Sequence, residues 1–244
     1  MRYGVISDIH GNLVALERVL EVLNERDVGR YLCLGDIVGY GARPNECCDL
    51  VRELDGVSVV GNHDAAACRP GKERWFTPAA RACILWTREV LTETNREFLS
   101  SLQTRATVGG AELCHGSLAD PEAYVTMPVE TLSSFALMEE QVCFFGHTHY
   151  AEWFVQSEAE RLPVQLSASA GGRFELVPEH KYMVNPGAVG QPRDRNSQAS
   201  FAIYDAEAGT VEIVRVGYDV ATTQRQIIAA GLPENMAARL LMGV

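Results

Sequence analysis

Short apolar runs alternate with amphipathic stretches through the first hundred residues. "YGVIS" at 3–7 predicts a buried strand, and "NLVALERVLEVLNER" at 12–26 sets Leu13, Leu16, Val19, Leu20 and Leu23 on one helical stripe. "YLCL" and "VSVV" predict two further strands, and Pro44 is placed to open a helix through "NECCDLVREL". This β-α-β-α order favours a parallel or mixed sheet with right-handed crossovers. From 77 to 102 the pattern is helical, with Pro78 in its first turn and Asn95 a candidate N-cap. After about 105 hairpins are expected instead: "TRATVGGAELCH" across Gly109 and Gly110, "RLPVQLSASAGGRFELV" across Gly171 and Gly172, and "ASFAIYDAEAGTVEIVRV". The tail from Val220 reads as helix. Without a linker or repeat, the expectation is one domain over 1–244, two β-rich layers with helices outside and a helical cap within about 65–104.

Polar residues gather where the predicted strands end. Asp8 and His10 follow the first strand, Asp36 the second, and Asn62 and His63 the third; His115 ends the Gly109–Gly110 hairpin, and His147 and His149 follow "CFF". Five of the six histidines therefore sit at strand-to-loop junctions near a glycine. In open α/β sheets those loops are where ligands bind. Carboxylates, imidazoles and one amide oxygen form a mixed O/N set that suits Mn²⁺, Fe or Zn²⁺ better than Ca²⁺. Asp8, His10, Asp36, Asn62, His115, His147 and His149 are too many for one catalytic ion, which takes three or four protein ligands; two ions sharing a bridging Asp would use them all.

Composition narrows the class. Hydrophobic residues make up 47% and charged residues 22%, a globular balance. The net charge of −11 argues against non-specific binding to nucleic acid or anionic membrane, but bound cations would still admit a phosphate substrate. The seven cysteines are odd in number and lack CxxC spacing, so no disulfide framework or zinc knuckle is suggested and a reducing cytoplasm is the expected setting. The N-terminal apolar run is too short for a signal peptide, and no apolar run is long enough to span a membrane.

The ordered set D-x-H (Asp8, His10), GD (Gly35, Asp36), GNHD (Gly61 to Asp64), His115 and GHTH (Gly146 to His149) closely resembles the calcineurin-like metallophosphoesterase superfamily. "NPGAVGQPRDRN" at 185–196 resembles a segment of its small bacterial phosphodiesterase-like branch. The resemblance implies a four-layer α/β/β/α sandwich of two mixed sheets with the metals at strand ends. It further implies that Asp8, His10, Asp36 and His149 hold one divalent ion, and Asp36, Asn62, His115 and His147 the other. Mn²⁺ is the first choice of metal, with Fe, Zn²⁺, Ni²⁺ and Mg²⁺ as alternatives. The implied activity is hydrolysis of a phosphodiester or small, nucleotide-like phosphomonoester by a metal-bridging hydroxide, with His63 as transition-state stabiliser or general acid and Asp64 orienting it.

One departure bears on substrate. The protein phosphatases of the superfamily carry Asp-Arg after the second motif, where this chain has Gly39 and Tyr40. Loss of that phosphate-gripping arginine argues against the protein phosphatase branch. Arg193 or Arg195 is the expected substitute, and Trp75, Phe76 and Tyr124 are candidates for stacking a base. A dinucleoside-polyphosphate hydrolase and a protein phosphatase stay as alternatives in the same class, and a non-catalytic metal-binding scaffold or regulator as one in another. The oligomeric state, a homo-oligomer included, is left open.

Overall fold

The computed structural model describes residues 1–157 and 159–244. Three parallel strands begin the fold: β1 (Arg2–Ile6), β2 (Arg30–Cys33) and β3 (Gly56–Ser58). They are joined by α1 (Leu13–Glu25) and α2 (Pro44–Glu53). α1 starts where the Asn12 side chain accepts from the Ala15 N–H at 3.2 Å, and it buries Leu16, Val19 and Leu23. α2 starts at Pro44, whose fixed φ suits a first turn. α3 (Asn62–Cys68), a 3-10 turn at Lys72–Trp75, α4 (Pro78–Val90) and α5 (Glu93–Ser101) follow. The second half supplies β4 (Arg105–Val108), β5 (Ala111–Cys114), α6 (Leu132–Leu137), β6 (Val142–Phe144), β7 (Ala151–Gln156), β8 (Val164–Ser167), β9 (Gly172–Glu175) and β10 (Lys181–Pro186). The hairpin β11 (Ala199–Asp205) and β12 (Thr210–Val216) then leads into α7 (Val220–Ala229) and α8 (Glu234–Met242).

These strands form two six-stranded mixed sheets, ordered β3-β2-β1-β11-β12-β9 and β4-β5-β6-β10-β7-β8. Between them lies an apolar layer that includes Val5, Leu32, Leu113, Phe144, Val184 and Val211. On the outer face of the first sheet, Leu16, Val19 and Leu23 of α1 and Cys47 and Val51 of α2 cover Ile6 and Phe201. The outer face of the second is covered more thinly, with Phe135 of α6 against Phe145, Phe154 and Met183. The order is the α/β/β/α sandwich expected from the motifs. All seven cysteines are free thiols, six of them buried. Among the described residues no helix is long and apolar enough to cross a membrane.

Two expectations need correction. The 161–177 segment is not a hairpin: β8 pairs with β7 in the second sheet, whereas β9 pairs with β12 in the first, so the chain changes sheets at Gly171. Alternating side chains mark both strands but do not name their partners. The 77–102 stretch is helical as two helices, α4 and α5, but the cap of the second is Thr92, whose hydroxyl accepts from the Asn95 N–H at 3.3 Å. Asn95 instead lies buried inside α5, its amide bound to Asn45 and its carbonyl to Arg52, which ties α5 to α2.

Candidate metal centre

The loops leaving β1 and β2 run side by side. Asp8 N donates to Gly35 O at 3.0 Å, His10 N to Asp36 O at 2.9 Å and Gly11 N to Ile37 O at 2.9 Å. Asp8, His10, Asp36, His147 and His149 all have φ between 51° and 68°. Such left-handed backbone is unfavourable for residues with a Cβ and marks sites where the surroundings fix an otherwise costly conformation. Much of the fixing comes from "NPGAVG". Asn185 Nδ2 donates to Gly146 O and to Thr148 Oγ1, both at 2.9 Å, and so holds the His147–His149 turn. Gly190 lies so close to Ile9 O that any Cβ would overlap it, and its carbonyl accepts from Asn12 Nδ2 at 2.9 Å.

Three imidazoles are oriented alike. The Nδ1 atoms of His10, His115 and His149 donate to the carbonyls of Val38, Leu34 and Gln191 at 3.0, 2.8 and 2.6 Å. Those bonds fix the Nδ1–H tautomer and turn each Nε2 lone pair inward, the arrangement of metal-ligating histidines. His10 Nε2 and His149 Nε2 then face each other at 3.1 Å, and His115 Nε2 lies 3.1 Å from Asn62 Oδ1. Lone pairs opposed at that distance require a positive charge between them. The carboxylates agree. Asp8 Oδ2 accepts from Ser7 Oγ at 2.6 Å and His147 N at 3.2 Å, but its buried Oδ1 has no hydrogen-bond partner and lies 3.3 Å from His149 Nε2. Asp36 Oδ1 accepts from His63 N at 2.8 Å, whereas its buried, unpartnered Oδ2 lies 3.7 Å from His10 Nε2 and 3.3 Å from His115 Nε2.

Asp8, His10 and His149 thus form one group of potential ligands within 4.8 Å of one another, and Asp36, His115 and His147 a second. His10 and Asp36 also group with His63. Orphaned buried carboxylate oxygens beside inward imidazole lone pairs are a donor set fitted to divalent cations.

Electrostatics follow the same geometry. Burial works to raise the Asp8 carboxyl, but the charge of His149, with His115 behind it, holds it well below the usual carboxylate range. Burial likewise opposes ionisation of Asp36, and His115 and His63 more than offset it. At His115 burial favours the neutral ring, yet the charge of Asp36, aided by Asp8, pushes its pKa up to about 10. The carboxylate pair therefore stabilises a positive charge at this point, proton or cation. Burial lowers His63 to about 4, with Arg193 adding to the effect, and burial with His115 lowers His147 to about 3. Asp64 is raised to about 7 by burial and the charge of Asp36.

The seven expected ligands converge, and His63 lies among them. Asp64 does not orient His63. Its Oδ1 accepts from Val38 N and its Oδ2 from Gly61 N, both at 3.1 Å, while His63 Nδ1 has no partner among the described residues. The two arginines separate. Arg193 reaches Tyr40 Oη at 3.3 Å and Gln191 Oε1 at 3.0 Å, with its guanidinium carbon 5.7 Å from the Tyr40 ring centre. Arg195 is exposed, and its backbone N–H binds Gly243 O at 2.8 Å. Tyr40 in turn packs on His10 and His63, with centroids 4.6 and 4.5 Å away. Its role was not readable from sequence, where it registers only as a missing arginine. Phe76 packs on His63 at 4.6 Å and Tyr124 on His147 at 5.2 Å, whereas Trp75 is 92% exposed.

Residues 1–209 match the calcineurin-like phosphoesterase superfamily domain. The chain belongs to that superfamily. Its relatives include an uncharacterized protein of Methanocaldococcus jannaschii, 38% identical over 98% of this chain and 97% of that protein. Phosphodiesterase YfcE of Escherichia coli is 28% identical over 86% of this chain and 91% of its own length. Among solved structures, a metallophosphoesterase from Sphaerobacter thermophilus superposes with a TM-score of 0.87 at 39% identity, covering 100% of this chain and 99% of that one. Calcineurin-like phosphoesterases are metal-binding hydrolases, and the Asp and His groups here are of the kind that hold their divalent ions.

Proposed function

We propose that the chain is a dinuclear metal-dependent phosphoric ester hydrolase acting on phosphodiesters or small, nucleotide-like phosphomonoesters. The observation that carries the reading is Asp36 Oδ2, a buried carboxylate oxygen without a hydrogen-bond partner, set between His10 Nε2 and His115 Nε2. Asp8, His10 and His149 would hold one ion, Asn62, His115 and His147 the other, and Asp36 both. Such a pair of ions supplies Lewis acidity, acidifying water and neutralising phosphoryl oxygens. The name of the Escherichia coli relative supports a diester substrate.

The protein groups then have distinct tasks. Arg193, held by Tyr40 and Gln191, grips a phosphoryl oxygen in place of the arginine absent after Gly39. His63 protonates the leaving oxygen. Burial and Arg193 favour its neutral form in the free protein, and a phosphoryl oxyanion beside it would favour the protonated one. Phe76 and Tyr40 pack against its ring, with centroids 4.6 and 4.5 Å away. Hydrolysis of bis(p-nitrophenyl) phosphate with Mn²⁺, before and after chelation, tests the reading. Turnover that chelator abolishes and Mn²⁺ restores is expected; metal-loaded protein inert to aryl diesters and monoesters alike would overturn it.

A further inference from the structure

A cleft of about 260 Å³ opens beside Asn62, and Arg193 is not among its lining residues. One face of α3 forms its floor. Asn62, Ala65 and Arg69 follow one another at helical spacing, so a single stripe begins at the proposed second ion and runs outward along the cleft. Leu99 and Ser100 of α5 form one wall. The other is the loop directly after His115, through Pro121. That loop is knit to itself: Ser117 N and Ala123 N both donate to Asp120 O, at 2.9 and 3.1 Å, and Glu122 N to Asp120 Oδ1 at 2.9 Å. An ion pair of Lys72 with Glu122 joins the two sides. The floor and one wall thus come from the segments that carry Asn62 and His115, and a phosphoryl group at those residues would direct one ester substituent into the cleft.

Its chemistry selects the substituent. The bottom is apolar, from Ala65 and Leu99, while the rim carries two cations, Arg69 and Lys72, and two carboxylates, Asp120 and Glu122. A rim with balanced charge suits a neutral group with hydrogen-bonding edges better than a second phosphate or a lipid chain. At this volume, near the lower end of small-molecule sites, it holds one ring system with its sugar, not a polymer. We infer that the cleft is the subsite for a single nucleoside-sized ester substituent, and that it, not the exposed Trp75, recognises the organic part of the substrate. This rests on the hydrolase reading above.

Two diesters with a common leaving group test it: thymidine 5′-(p-nitrophenyl phosphate) and methyl p-nitrophenyl phosphate, with the Mn²⁺-loaded wild type, Ala65→Phe and Ser100→Phe. The wild type should prefer the nucleoside ester. Both variants, filling the cleft from its floor and from one wall, should lower the ratio of the two kcat/KM values by about tenfold or more. A shared loss of metal or fold cancels in that ratio. The same ratio in all three proteins overturns the subsite. If the metal-loaded wild type turns over neither ester, the hydrolase reading fails and binding decides the subsite: saturation-transfer NMR with adenosine should then show contact with the wild type and not the variants, and equal transfer to all three overturns it.

Discussion

Gly39 shows how closely one residue can govern the site. Its φ is 92°, and a Cβ there would run into the His63 ring. Gly39→Ala should therefore displace His63, lowering kcat about 10- to 100-fold while metal content stays at the wild-type level. Two histidine variants separate the roles further. His63→Gln should keep both metals and lose most turnover, whereas His147→Gln should lose one ion; metal analysis of the pair side by side checks this, and equal metal loss would contradict the assignment. Residue identity was the most legible layer of the sequence, because Asp, Asn and His at successive strand ends leave little other chemistry to consider. What sequence could not supply was orientation. Nothing in "GDIVGY" or "QPRDRN" shows that Tyr40 and Arg193 meet, since the contact joins residues 153 positions apart. The inverse holds for Asp64, which sits beside His63 in sequence yet turns both oxygens to backbone.

At the scale of elements, Asp64 joins the N-terminus of α3 to the loop after β2 through the N–H groups of Gly61 and Val38. Asp64→Ala would leave two buried donors unpaired, a cost of about 2–4 kcal/mol. That corresponds to a fall in Tm on the order of 10 °C for a chain of this size. Asp64→Asn keeps one acceptor oxygen and should lose roughly half as much; thermal unfolding of both decides, and an equal loss would mean that the carboxylate acts otherwise. Elements were legible where a local signal defined them. The stripe from Leu13 to Leu23 and Pro44 announce α1 and α2, and Gly109–Gly110 announces the β4–β5 hairpin. Where partner choice is long-range the signal fails, as for β8 and β9, which share one alternating stretch and enter different sheets. Asn95 was misplaced for a related reason: an amide suited to capping is also suited to bridging two helices.

Across the whole molecule, the two sheets meet around buried charge as well as apolar surface. Asp194, which accepts from Ala151 N at 3.2 Å, pairs with Arg215 of the first sheet, and Glu152 of the second lies nearby. Burial, with the charge of Asp194, raises the Glu152 pKa to about 7, so the folded state holds its proton where the unfolded chain does not. The stability this contributes is full below the ordinary carboxylate value and is lost as pH rises through about 7. Glu152→Gln should hence gain on the wild type between pH 5 and pH 8, by about 1–2 kcal/mol in denaturant unfolding. A constant difference across that range would show that Glu152 does not titrate there. In the proposed function this fold brings seven side chains from five strand ends around two ions that share Asp36. Anomalous diffraction at the manganese edge, from crystals grown with Mn²⁺, addresses it most directly. Two peaks per chain about 3.5–4 Å apart, one on each side of Asp36 Oδ2, are expected; a single peak, or peaks to which Asp36 is not a ligand, would contradict it.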